Sequence, residues 1–121
     1  MIARREDRAI AGLSMGGAES LVVGLNHIDQ FGWVGGFSTG GLSTNYVAQF
    51  PTLTAEQGLK LGLLWISCGQ EDHLLAPNQQ FCDWLKTKDV PFKWVETPGH
   101  HSYRVWRRNL AAFAPLLFRD K

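Results

Sequence analysis

Short apolar runs alternate with helix-like patterns along the whole chain. The runs at residues 8–13, 33–38, 61–68 and 91–97 predict four strands. The third run, LGLLWISC, is almost continuously apolar, as in a strand whose two faces are both covered by helices. Strands that alternate with helices are typical of right-handed crossovers and a parallel sheet. The pattern therefore predicts an α/β fold with the order β-α-β-(α)-β-α-β-α.

The segments between these strands predict helices of unequal length. Residues 15–28 carry an apolar face at helical spacing, formed by Ala18, Leu21, Val22 and Leu25. Residues 76–88 and 102–118 predict two further helices, and Pro115 should kink or shorten the second. That last helix has an apolar stripe made of Trp106, Leu110, Phe113 and Leu117. Residues 39–51 are loop-like, and residues 53–60 predict one or two helical turns.

Composition narrows the function classes. The chain has 121 residues, of which 45% are apolar and 19% charged, with a net charge of +1, as in an ordinary soluble globular domain. Such a balance favours neither a nucleic acid nor an anionic membrane as partner. No apolar run could span a bilayer, and the charged N-terminus lacks the apolar stretch of a signal peptide. As written, the chain is expected in the cytoplasm.

The cysteines and the metal-ligand residue types give no cofactor signal. The spacing of Cys68 and Cys82 fits neither a zinc pattern nor a C-x-x-C redox motif. We expect two buried free thiols, with a disulfide between them as the alternative. No set of His, Asp and Glu has metal-ligand spacing, so the sequence predicts no metal and no cofactor.

Residue types suited to nucleophilic catalysis follow three of the four predicted strands. Ser14 follows the first strand within Gly12-Leu13-Ser14-Met15-Gly16, which fits the G-x-S-x-G pattern of a nucleophile elbow. Asp72 follows the third strand, next to Glu71 and His73, and two histidines follow the fourth. A serine hydroxyl needs a base within reach, and that base needs an orienting carboxylate. Carboxyl ends of parallel strands meet at one sheet edge, so the sequence predicts a Ser-Asp-His triad there.

Each of these residues also has a structural interpretation. A lone G-x-S-x-G is a weak signal, and Ser14 could cap a helix. Asp72 could cap a turn, and His101 could be a solvated histidine at a helix start. Three matches at three strand ends, in the chain order Ser, Asp, His, favour the triad. We expect positions 16 and 17 to require glycine, because the elbow is a strained turn whose backbone passes close to neighbouring strands.

The same residues resemble a known family, the Putative esterase family of the α/β-hydrolases, most closely its feruloyl and acetyl xylan esterases (carbohydrate esterase family 1). The stretch GLSMGGAESLVVGLNHIDQFGWVGGFSTG is similar to that family's G-x-S-M-G-G, D-x-F and G-x-F-S-x-G segments. WISCGQEDHLL resembles the acid segment, and the last motif resembles G-G-H-x-x-x-x-W. The likeness runs from residue 7 to about residue 118. The implied fold is part of an α/β-hydrolase, with about four parallel strands.

The resemblance assigns roles to individual residues. Ser14 would be the nucleophile and Asp72 the acid. With Trp106 as anchor, His101 would be the base, and His100, in the place of the second glycine, would line the substrate site. The Met15 N–H would be one donor of the oxyanion hole. The second donor comes, in the family, from a loop of an N-terminal half that this sequence lacks, so residues 1–121 are expected to form a single esterase domain without that half.

The implied reaction is hydrolysis of small-molecule or polysaccharide esters, feruloyl or acetyl esters of plant polysaccharide above all. Full-length relatives are often secreted or periplasmic. A catalytically silent fragment that serves as an assembly or binding module remains an alternative, and acyl transfer is another. Without the family's first half, the first strand would leave an apolar edge exposed, which predicts a homodimer or higher homo-oligomer centred on this strand and the first helix.

Overall fold

The computed structural model describes residues 4–119, and four strands in this part of the chain form one sheet. All neighbours are parallel, and the spatial order β1-β2-β3-β4 follows the sequence. The strands are Ala9–Leu13 (β1), Trp33–Phe37 (β2), Leu63–Gly69 (β3) and Lys93–Thr97 (β4). Each lies within or next to the apolar run that predicted it. The α/β fold predicted from the sequence pattern is therefore confirmed.

Helices connect successive strands, and one more follows the last strand, as the alternation predicted. Three are long: α1 (Met15–Asn26), α4 (Leu75–Thr87) and α5 (Tyr103–Phe113). Two are single turns, α2 (Tyr46–Gln49) and α3 (Ala55–Gly58). The first of these turns lies in the segment predicted as a loop, so that prediction was wrong at this point. Its cause is local, because the Asn45 side chain accepts the Ala48 N–H and caps the turn.

The last helix is shortened where the sequence predicted. It ends at Phe113, and a 3-10 turn over Ala114–Leu116 follows. Pro115 lies inside this turn and has no N–H to donate, so the α-helical hydrogen bonds stop before it. The predicted effect of Pro115 is confirmed.

The sheet separates two apolar layers. On one face, Leu21 of α1 and Phe81 of α4 pack with Val34 and Ile66 of the central strands. On the other face, Phe113 of α5 packs with Phe37 and Trp65. Cys68 and Cys82 are buried free thiols, as predicted. Between residues 4 and 119 no helix is both long and apolar enough to cross a membrane.

The outer side of β1 is one of the two open edges of the sheet, the other being that of β4. Within the described residues β1 pairs only with β2, and Leu13 remains 40% exposed. Leu110, predicted to belong to the inward stripe of α5, is 52% exposed. That prediction was wrong because Leu110 faces a groove of about 600 Å³ between β1 and α5 rather than a packed layer. Apolar side chains dominate its lining: Ala11, Leu13, Phe37, Trp106 and Leu110.

Candidate active site

Ser14 lies on the sharp turn between β1 and α1. Its backbone has φ 55° and ψ −122°, a conformation that residues other than glycine rarely adopt. Two hydrogen bonds hold the turn: the Ser14 N–H donates to the Phe37 carbonyl (2.9 Å), and the Gly40 N–H donates to the Ser14 carbonyl (3.0 Å). A serine held in this strained conformation at a strand-to-helix turn has the geometry of a nucleophile elbow.

Two glycines allow this turn to pack, but they are not the pair predicted. A Cβ on Gly12 would collide with the carbonyl of Gly16, and one on Gly17 would collide with the Thr39 hydroxyl. A Cβ on Gly16 would meet no atom within 4 Å. The expectation that position 17 requires glycine is confirmed. The expectation for position 16 was wrong, because the atom of Gly16 that lies close to Gly12 is its carbonyl oxygen, and its Cα has free space around it.

The structure brings together the three residues of the predicted triad. His101, in the loop after β4, lies with Nε2 3.0 Å from Ser14 Oγ. Its Nδ1 lies 2.8 Å from Oδ2 of Asp72, in the loop after β3. The side chain of Asp72 is fully buried, and that of His101 is 24% exposed. One unbroken hydrogen-bonded path therefore joins a hydroxyl, an imidazole and a carboxylate.

The surroundings of Asp72 keep its carboxyl group ionised. Burial acts to raise the pKa of Asp72, but hydrogen bonds from the Leu74 backbone, His101 and Ser38 outweigh it, so that the pKa lies below its ordinary value. The Leu74 N–H donates to Oδ1 over 2.9 Å, and Oδ2 is left to His101. An ionised carboxylate can orient the imidazole and stabilise the imidazolium that forms when the imidazole takes a proton.

Two further histidines of the predicted site region, His73 and His100, lie in different surroundings. His73 is exposed, with Nδ1 3.5 Å from Asp72 Oδ1 and its ring centroid 5.4 Å from that of His101. His100 is also exposed and lines a separate cleft of about 530 Å³ with Arg104 and Arg108. Of the two, His73 is the one that contacts the triad.

Glu71 has a role that sequence reasoning missed. Its Oε2 accepts the Gly99 N–H over 2.8 Å, and its own N–H donates to the Gly99 carbonyl over 2.9 Å. These two bonds tie the loop that carries Asp72 to the loop that carries His101. Only its position beside Asp72 could have suggested this role.

Met15 is the first residue of α1 and follows Ser14 directly. The first N–H groups of a helix have no acceptor within the helix. The Met15 N–H therefore belongs to a helix N-terminus beside the serine, where negative charge is favoured. This is the position that the sequence predicted for an oxyanion donor. No group of three His, Cys, Asp or Glu residues that could hold a metal ion occurs in the part of the chain that the structure describes.

Comparison with known protein families gives a match over almost the whole sequence. The family model described as Putative esterase matches residues 2–117. The chain belongs to this esterase family. The resemblance noted in the sequence motifs is thereby confirmed.

Solved structures share the fold at low sequence identity. A ferulic acid esterase superposes with a TM-score of 0.76 at 24% identity, over 97% of this chain and 53% of its own. A carbohydrate esterase family 1 ferulic acid esterase from the anaerobic fungus Anaeromyces mucronatus gives 0.79 at 22% identity, over 98% and 46% of the two chains. An S-formylglutathione hydrolase from Staphylococcus aureus gives 0.74 at 22% identity, over 96% and 56%. The chain thus spans about half the length of the solved structures it matches, and these structures show its α/β-hydrolase fold.

Proposed function

We propose that this chain carries the nucleophile, base and acid of a serine carboxylic-ester hydrolase. The observation that supports this most directly is the hydrogen-bonded path from Ser14 Oγ through His101 to Asp72, with distances of 3.0 and 2.8 Å. The strained backbone of Ser14 adds to it, because such a turn exposes a serine hydroxyl at the end of a strand. Membership of the esterase family agrees with this chemistry.

In the proposed reaction, Ser14 Oγ attacks the ester carbonyl while His101 Nε2 takes its proton. The carbonyl oxygen becomes an oxyanion, to which the Met15 N–H donates. When the intermediate collapses, His101 gives the proton to the leaving alcohol, and an acyl group remains on Ser14. Water, deprotonated by His101, then releases the acid and regenerates the serine. Asp72 stays ionised throughout and stabilises the imidazolium.

For the substrate we propose feruloyl or acetyl esters of plant polysaccharide. The support is the similarity of the sequence motifs to esterases of this type and the presence of ferulic acid esterases among the similar structures, one of them in complex with ferulic acid. A panel of p-nitrophenyl acetate, methyl ferulate and acetylated xylan separates the acyl groups. Hydrolysis of the p-nitrophenyl ester alone would contradict the polysaccharide assignment.

The nucleophile is tested by covalent labelling. A fluorophosphonate should label the folded chain stoichiometrically at Ser14 and should not label Ser14→Ala. Ser20→Ala is the matched control because Ser20 lies six residues after Ser14, within α1, and its side chain is buried. Equal labelling of native and denatured protein would contradict an activated serine and favour a silent hydrolase fragment that serves as a binding module.

We further propose that a second copy of this chain covers the open side of β1. Support comes from the edge of β1, which has no neighbouring strand among residues 4–119, from the exposed Leu13 and Leu110, and from the apolar groove that these two side chains line. A strand edge leaves N–H and C=O groups that another strand can satisfy, and a two-fold dimer does this with the same surface twice. The partner would lie beside Ser14, where it could supply the second backbone donor to the oxyanion.

Light scattering at micromolar concentration tests this assembly. We expect a dimer for the wild type and a monomer for Leu110→Lys. Val47→Lys is the control because Val47 is 67% exposed on the short α2 helix and is not among the residues that line the groove. The proposal would be contradicted by a wild type that is folded and monomeric, or by a monomer for both Leu110→Lys and Val47→Lys.

A further inference from the structure

Trp106, which the proposed mechanism does not use, contacts two parts of the site. Its indole N–H donates to Ser38 Oγ over 2.9 Å, from α5 to the residue that follows β2. Its ring also meets His101 edge-on, with centroids 4.9 Å apart and planes at 87°. One side chain thus fixes the imidazole by contact and holds a buried serine by a hydrogen bond.

Ser38 has an unusual backbone for a serine. It has φ 49°, in the left-handed region, and its side chain is buried at 1% exposure. Its N–H donates to the Ser67 carbonyl over 2.8 Å, which keeps the residue next to β3. A non-glycine residue held in this region costs free energy, so other contacts must over-determine its position. The bonds to the Ser67 carbonyl and from the Trp106 indole fix the backbone and the hydroxyl of Ser38.

The Ser38 hydroxyl can act on a second group. Because its oxygen accepts the indole N–H, its own proton is free to be donated. Interaction with the Ser38 hydroxyl lowers the pKa of Asp72 and also acts to lower that of Cys68, so the hydroxyl lies near both groups. The other groups that face this carboxylate are His101, His73 and the Leu74 N–H, with the neutral Cys68 thiol nearby.

We propose that Ser38 and Trp106 are positioning residues of the triad, and this rests on the proposed esterase function. In this proposal Trp106 holds the Ser38 hydroxyl by a hydrogen bond and the His101 ring by an edge-on contact, and the Ser38 hydroxyl donates to the Asp72 carboxylate. The acid and the base are therefore fixed by one shared support that spans β2 and α5.

This arrangement predicts a defined effect on catalysis. Without the Ser38 donor, the carboxylate can rotate and His101 loses its fixed direction towards Ser14. A displaced reacting group can reduce turnover by about a hundredfold, while binding of the substrate elsewhere is unchanged.

The test compares two variants with two matched controls. Ser38→Ala removes the hydroxyl, and Trp106→Phe keeps an aromatic ring beside His101 while removing the N–H. Ser67→Ala is the control for the first, because Ser67 is equally buried on β3 and its hydroxyl has no hydrogen-bond partner within the described residues. Trp33→Phe is the control for the second, because its indole N–H donates to the Glu6 carbonyl near the other end of β2.

For Ser38→Ala we expect kcat to fall tenfold to about a hundredfold at unchanged KM. For Trp106→Phe the change should have the same sign and a smaller size. The double variant should lose little more than Ser38→Ala alone, because both substitutions interrupt one path. Controls within about twofold of wild type complete the expected result.

A readout without turnover keeps this inference separate from the proposed function. The proton on His101 Nδ1, shared with Asp72, gives a downfield ¹H resonance that Ser38→Ala should shift and Ser67→Ala should not. If the fluorophosphonate failed to label Ser14 in the wild type, the esterase function would be overturned. If the resonance stayed unmoved in both Ser38→Ala and Trp106→Phe, the positioning role would be overturned. Equal loss of kcat in variants and controls, or additive losses in the double variant, would overturn it as well.

Discussion

Two regions of this molecule share strand β1 and differ in how completely the chain satisfies them. At the carboxyl ends of the strands, Ser14, His101 and Asp72 have their partners within the same chain. Along the outer side of β1, Leu13 and Leu110 stay exposed beside an open groove, and the strand edge has no neighbour within the described residues. The site residues at the carboxyl end of β1 are hydrogen-bonded within the chain, while the outer edge of β1 is exposed.

The two regions differ because every contact of Ser14 described above is made on the β2 side of β1. Ser14 is held by Phe37 and Gly40, which lie on the β2 side, and the triad partners come from the loops after β3 and β4. None of these groups comes from the open side. The geometry of the triad therefore depends on strands β1 to β4 and the loops after them, whereas no strand among the described residues covers the outer edge of β1.

The largest effect should distinguish the two neighbouring histidines. His101→Ala should reduce kcat by about a millionfold or to the background, because the nucleophile loses its base. His100→Ala, which changes an exposed side chain, should cost less than tenfold. Initial rates on p-nitrophenyl acetate measure both. If His100→Ala were the more damaging variant, the assignment of the base would be shifted by one residue.

Removal of the charge on the acid should have the next largest effect. Asp72→Asn keeps the shape of the side chain but stabilises the wrong tautomer of His101, and kcat should fall by about 10⁴-fold. Asp83→Asn is the control, since Asp83 is exposed on α4 and the charge change is the same. Steady-state kinetics measure kcat for both variants, and an equal loss of kcat in Asp72→Asn and Asp83→Asn would contradict the triad.

On the open side, the comparison becomes one of stability. Phe113 is 2% exposed and packs against Phe37 and Trp65, whereas Leu110, three residues earlier on α5, is 52% exposed. Phe113→Ala should lower the free energy of unfolding by about 3–5 kcal/mol, and Leu110→Ala by about 0.5 kcal/mol in a monomer. Urea unfolding measures both. A cost for Leu110→Ala that grows with protein concentration would show that a second copy covers the groove.

Much of the fold and the triad could be predicted because their signals are local. Each strand is an apolar run, and α1 and α4 have an apolar face with the period of a helix. Ser14, Asp72 and His101 each follow a strand, and parallel strands bring these ends together. No long-range information was needed to expect them at one edge of the sheet.

The remaining features depend on contacts between distant segments. Leu110 has the spacing of a core residue, but its burial depends on what lies across from it. Ser38 follows a strand like the other site residues, yet its importance comes from a positive φ and from a bond to Trp106, 68 residues away. Gly12, not Gly16, has the tight approach, because the path of the helix after the turn decides which Cα is crowded.

The smallest expected effect concerns acid. In the folded chain the pKa of Asp72 lies below its ordinary value of about 3.9, because its hydrogen bonds outweigh burial. The unfolded chain therefore binds a proton at this carboxyl more readily, and the contribution of Asp72 to stability is present above the ordinary pKa and is lost as the pH falls through the folded pKa. The difference in unfolding free energy between wild type and Asp72→Asn should then shrink from about pH 6 to about pH 3, as measured by urea unfolding across this range. Asp83→Asn supplies the baseline for loss of one exposed charge, and a difference between wild type and Asp72→Asn that stays constant or widens in acid would contradict the hydrogen-bonded state of this carboxylate.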